Sequence, residues 1–171
     1  MFFPIRELEL RAKPFVIEIP AGEFDLDPKF RAVSPLRAQG KVELESGSLA
    51  EIRVSGQLST RVEAECDRCL ENAEFAVDSD FNLLYRPASV DYGDELELGD
   101  ADAEIGFYEG DGVELNDVLR EFVLLALPMQ RLCREDCKGL CPVCGQSRNL
   151  SECQCVSSRI DDRWAALKSL Q

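Results

Sequence analysis

Six of the eight cysteines in this chain fall between Cys133 and Cys155: Cys133, Cys137, Cys141, Cys144, Cys153 and Cys155. Within that segment, Cys141-Pro-Val-Cys144-Gly145 has the form of a thiolate knuckle. Two residues between the sulfurs let both reach one metal ion, Pro142 stiffens the turn, and Gly145 permits the positive φ that follows it. Cys66-Asp-Arg-Cys69 offers a further pair of thiols. The chain has no histidine, so a tetrahedral site must be all-thiolate, most simply zinc held by four cysteines. Cys141 and Cys144 supply one pair, and the second pair comes from among Cys133, Cys137, Cys153 and Cys155. Two ions with four thiolates each would use all eight, provided that the Cys66–Cys69 turn lies near the tail. Taken alone, Cys66 is equally at home as a small buried apolar residue.

Other chemistries have less support. Cys137-x3-Cys141-x2-Cys144 matches the three-cysteine pattern that holds a radical-generating iron–sulfur cluster, but such enzymes need a large α/β barrel and its alternating βα pattern. A thioredoxin-like use of Cys66-x-x-Cys69 needs a βαβ setting. Without histidine no Cys–His or Ser–His arrangement exists. No glycine-rich phosphate loop is present, and no small-molecule substrate is evident. Catalysis is not expected. Arg68, between the two turn cysteines, is a candidate partner contact.

The elements that must position these thiols are mostly strands. Phe15, Ile17 and Ile19 alternate with Val16 and Glu18, Val42 and Leu44 alternate with Lys41, Glu43 and Glu45, and Glu45 to Ser48 has turn composition. The clearest pattern holds Ile52, Val54, Gly56, Leu58, Thr60, Val62, Ala64 and Cys66 on one face of a long strand, or of two bent at Gly56. That parity carries Cys66 to the buried end. Alternation resumes at Phe75, Val77, Phe81, Leu83 and Tyr85, so the two strands form an antiparallel hairpin with Cys66 and Cys69 in its turn. After an acidic loop with a short strand at Ile105 to Tyr108, helical spacing runs from Leu115 to Met129. Asn116 is the expected cap, the second half is expected to be buried, and Pro128 is the stop. A last helix is expected from Asp161 to Leu170, with Trp164 on its apolar stripe.

Composition bounds the answer. The chain has 171 residues, 45% apolar and 30% charged, as in a folded globular protein. Eight cysteines without an export signal point to a reducing cytoplasm, and the longest apolar run, Phe122 to Met129, is too short to span a membrane. The net charge of −14 is unevenly placed. Residues 61–130 hold 4 basic and 19 acidic side chains, whereas residues 131–171 hold 7 basic and 5 acidic. The acidic middle favours basic partners, and only the tail can approach a nucleic acid without long-range repulsion.

Three blocks together resemble the YceD family: Glu65-Cys66-Asp-Arg68-Cys69-Leu70, Leu124-Leu-Ala-Leu-Pro128, and Cys133 to Cys155 followed by Asp161-Asp162-Arg163-Trp164. The resemblance runs from about residue 35 to the end, with Asp162 standing where a proline is usual. It implies a role in accumulation of large-subunit ribosomal RNA and offers no catalytic residues. The expected fold is α+β: an antiparallel sheet that can close toward a barrel, one buried helix, and a cysteine-rich metal segment. Residues 1–130 form the β-rich part, and residues 131–171 the zinc segment packed onto it. The expected function is non-enzymatic binding of a basic ribosomal protein or of large-subunit RNA. The alternatives are a metal-dependent enzyme using iron–sulfur or thiol redox chemistry, and a zinc-stabilised adaptor unrelated to ribosomes.

Overall fold

The computed structural model describes residues 1–45, 50–88 and 105–155. The elements run β1 (Phe2–Pro4), α1 (Ile5–Leu8), β2 (Lys13–Ile19), β3 (Phe30–Ala32), β4 (Leu36–Leu44), β5 (Ile52–Glu65), β6 (Asn72–Pro87), β7 (Ile105–Tyr108), β8 (Gly112–Glu114) and α2 (Leu115–Ala126). The main sheet has the order β2-β4-β5-β6-β7, and β3 pairs with the far end of β5. All pairs are antiparallel except β6–β7.

The organising strand is β5, as its alternation predicts. Ile52, Val54, Leu58, Val62, Ala64 and Cys66 point inward and are buried. Thr60 breaks the apolar run but is also buried, and its hydroxyl lies 3.4 Å from the Ser34 carbonyl. From β6, Val77, Phe81 and Tyr85 face the same core. Each fully buried aliphatic side chain here contributes about 1.5–3 kcal/mol. Gly56 stands directly opposite Gly40. A Cβ on either would collide with the facing backbone, so the pair lets β4 and β5 approach where no side chain fits.

A second layer covers the inner face. β1 pairs with β8, the Leu115 N–H donates to the Met1 carbonyl, and the Met1 amino group pairs with Glu114. Helix α2 buries Leu115, Val118, Leu119 and Val123, with Phe122 tilted against Phe81 at 5.2 Å. Leu127 takes an extended conformation before Pro128, where the helix stops.

The structure corrects three expectations. The sheet does not close into a barrel among the described residues: β2 and β7 are its edges, and the β1–β8 pair and α2 cover the face that closure would have enclosed. The second half of α2 is not buried all round, since Leu125 is 72% exposed and only one stripe meets the core. Asn116 lies inside the helix and does not cap it, because β8 runs straight into α2 and Met1 already accepts the first free N–H. The helix expected over Asp161 to Leu170 and Trp164 lies outside the described residues. No helix among the described residues is long and apolar enough to cross a membrane.

Replacing Gly56 with alanine should lower stability by about 1–3 kcal/mol through overpacking against β4. A thermal melt reads this directly, with the exposed neighbour change Gln57→Ala expected to stay within about 0.5 kcal/mol of the parent.

Candidate metal centres

The parity of β5 ends at Cys66, and the β5–β6 ladder stops at the pair Glu65 and Asn72. The turn between is closed by two backbone bonds, from Cys66 N–H to the Glu71 carbonyl and from Leu70 N–H to the Cys66 carbonyl, both 2.9 Å. Asp67 then clasps the chain leaving α2. Its N–H donates to the Arg131 carbonyl at 2.8 Å, and its carboxylate accepts from the Arg131 N–H at 2.7 Å and the guanidinium at 2.8 Å. The guanidinium also lies over the Phe30 ring, 5.2 Å from its centre. This clasp delivers Cys133 and Cys137 to the turn.

Cys66, Cys69, Cys133 and Cys137 form one group, with all four sulfurs within 4.8 Å of one another. The Cys66–Cys137 and Cys69–Cys133 sulfurs are 3.8 Å and 3.7 Å apart. A tetrahedral ion with metal–sulfur bonds of about 2.3 Å, the length that zinc makes, sets the sulfurs about 3.8 Å apart. The donor set therefore fits such an ion. Three of the four cysteines are buried and Cys133 is half-buried.

Electrostatics agree with a thiolate site. Burial pushes the Cys66 thiol up, but the N–H groups of Cys133, Cys69 and Arg68 outweigh it and hold the pKa at about 6. The Cys133 N–H lies 3.3 Å from that sulfur. Cys137 is held down first by the Asn149 amide, which donates to its sulfur at 3.3 Å. Cys133 is pushed up to about 12 by burial and by the sulfurs around it. Four adjacent sulfurs cannot all ionise without a cation among them, so binding a divalent ion displaces protons here.

Cys141, Cys144, Cys153 and Cys155 form the second group, again within 4.8 Å. Its first half repeats the turn of the first. The Gly145 N–H donates to the Cys141 carbonyl at 2.9 Å. The N–H groups of Cys144 and Val143 lead in holding Cys141 at about 6. This site is more open: Cys144 and Cys155 are exposed, and Cys153 is half-buried.

The two centres are joined by short-range contacts. Leu140 N–H donates to the Arg68 carbonyl and Arg148 N–H to the Gly139 carbonyl. Gly139, at φ +68°, lies so close to Arg68 that a Cβ would press on its carbonyl. Asn149 accepts from the Lys138 N–H at 2.8 Å while donating to Cys137, and so ties the second loop to the first centre.

The structure thus distributes all eight predicted ligands. Cys141 and Cys144 join Cys153 and Cys155, whereas Cys133 and Cys137 join the hairpin pair. The three-cysteine iron–sulfur pattern is split, since Cys137 belongs to one group and Cys141 and Cys144 to the other. Arg68 donates to the Cys137 carbonyl at 3.0 Å and braces the first centre. Sequence reasoning missed Asn149 and the Asp67–Arg131 clasp. No local pattern marks either, because each matters only through a partner distant in the chain.

Comparison with known proteins places these features in a family context. The model for "Large ribosomal RNA subunit accumulation protein YceD" matches residues 54–171, a span that takes in β5, β6 and both cysteine groups. The chain is 24% identical over 143 residues to a chloroplastic YCED homolog 1 of Arabidopsis thaliana, covering 71% of this chain and 44% of that protein. It is 24% identical over 147 residues to the uncharacterized protein YlbN of Bacillus subtilis, covering 85% and 79%. An uncharacterized protein of Mycobacterium tuberculosis is 33% identical over 128 residues, covering 74% and 59%. The chain therefore spans less than half of the Arabidopsis relative and about three fifths of the mycobacterial one. No solved structure matches.

Protein purified without added metal should carry two divalent ions per chain by elemental analysis, with Cys66→Ser and Cys144→Ser each losing one. A single ion in the parent, kept in Cys66→Ser, would contradict the first centre. Asn149→Ala should weaken the first site by about 10–100-fold in chelator competition and leave the second unchanged.

Proposed function

The chain belongs to the YceD family of large ribosomal RNA subunit accumulation proteins, and on that premise we propose that it is a non-enzymatic factor in biogenesis of the large ribosomal subunit. It acts in the cytoplasm by binding a basic ribosomal protein or large-subunit RNA, on a platform stiffened by zinc. The observation that carries this reading is the arrangement of the eight cysteines as two closed four-sulfur sets within the segment that the family model covers. Cys66, Cys69, Cys133 and Cys137 would hold one zinc ion, and Cys141, Cys144, Cys153 and Cys155 the other. A zinc with four protein thiolates has no open position for water or substrate, which suits a structural role. The family name supplies the ribosomal context, and the charge of −14 suits a basic partner.

Depletion of the protein should lower large-subunit ribosomal RNA relative to small-subunit RNA and build up incomplete large particles on sucrose gradients. Unchanged RNA ratios and particle profiles under full depletion would sink the proposal. The purified protein should also be colourless; a visible thiolate-to-iron absorption band would favour the iron reading instead.

A further inference from the structure

At the hairpin tip stands a residue that contacts among the described residues do not explain. Leu70 follows the second sulfur of the first turn, and its backbone lies in the left-handed region at φ +62°, where an L side chain is disfavoured. The same step in the second turn is Gly145, at φ +72°. A Cβ on Gly145 would meet nothing within 4 Å, so space does not exclude a side chain at that step. Backbone conformation is what favours glycine there. The first turn carries leucine in spite of this, and its side chain is 58% exposed, so burial within the molecule offsets little of the strain. Leu70 lines a cleft of about 570 Å³ together with Phe30, Ala64 and Cys66. Strain kept at an apolar residue that the described residues leave exposed points to a partner that covers it.

The surroundings say what kind of partner compensates. Between Glu63 and Asp80 the hairpin holds seven carboxylates and one cation, Arg68; from outside it Arg31 and Arg131 pair with Glu63 and Asp67, and Lys29 also lines the cleft. Glu65 and Glu71, on either side of the tip, make no ion pair among the described residues. Each four-thiolate centre adds two net negative charges when a divalent ion is bound. That field repels phosphates, and an aliphatic side chain neither stacks on bases nor hydrogen-bonds to them. We propose that Leu70 is the apolar anchor of a docking surface for a basic protein, inserting into an apolar pocket rimmed by Lys or Arg. The proposal rests on the binding role put forward above and narrows the partner to protein.

The test uses the full, metal-loaded chain with Leu70→Gly and Leu70→Asn, two residues that tolerate the left-handed conformation. Binding is measured to large-subunit ribosomal proteins, purified one by one, and separately to protein-free large-subunit RNA. The parent should bind at least one of the basic proteins, and both variants should bind it about tenfold or more weakly. Both variants should keep their metal, and Leu70→Gly should melt above the parent. Equal binding by variants and parent, loss of RNA binding alone, or no protein bound by the parent would each overturn the proposal. The same variants are then expressed in depleted cells. A Leu70→Gly chain that restores ribosomal RNA as well as the parent sinks only the docking surface. A parent that restores none sinks the biogenesis reading itself.

Discussion

Four sulfurs held within 4.8 Å of one another cannot all carry charge unless a cation sits among them. The chain brings four sulfurs together in this way twice. At the first centre the consequences reach the whole molecule, because its ligands come from places far apart in sequence. The hairpin tip and the segment leaving α2 meet through the Asp67–Arg131 clasp and the sulfurs, without a shared sheet or a broad apolar contact. The small cluster of Cys66, Cys69 and Cys137, with Leu132 and Cys133 against it, is separate from the main core. The clasp and the four-sulfur group, and not a broad apolar contact, join the two parts.

Much of this was legible in the sequence where the pattern was local. The strict alternation of β5 gave its inward face and carried Cys66 to the buried end, and Pro128 marked the end of α2. The knuckle form of Cys141 to Gly145 was readable because ligand spacing and the turn requirement coincide. Partner choice among the other cysteines was not readable. Six candidate ligands on a short segment can be sorted in many ways, and the sorting depends on Asp67 reaching Arg131 across the fold. β3, β1 and β8 were missed for a related reason. Each has only three residues, too few for a period to show; β3 exists because the longer β5 offers an open edge, and β1 and β8 because each is the other's partner across the fold. Asn116 misled because it is a good cap in isolation, whereas the Met1 carbonyl takes that role here.

The two turns also show how one local geometry serves different ends. Both place backbone N–H groups around the first sulfur and bring the chain into the left-handed region one step beyond the second. Gly145 makes that step without strain. Leu70 makes it at a cost, on the turn that is built into the sheet and best able to hold it rigid. The more open centre is joined to the rest by Asn149 and a few backbone bonds, so its geometry follows that of the first.

The pairing of β1 with β8 carries a consequence for the order in which the chain is made. Synthesis runs from the amino-terminal side onward, yet the partner of Phe2–Pro4 is Gly112–Glu114. Phe2–Pro4 therefore leave the translating ribosome with no strand to join, and they wait until Gly112–Glu114 has followed. The thiols of Cys66 and Cys69 wait longer still, for Cys133 and Cys137. Such closures between distant segments carry a chain-entropy cost before any contact rewards them. The hairpin of β5 and β6, whose partners are adjacent in sequence, is free of that delay. It is the natural seed of the fold, complete while both the amino terminus and the metal ligands are still without partners.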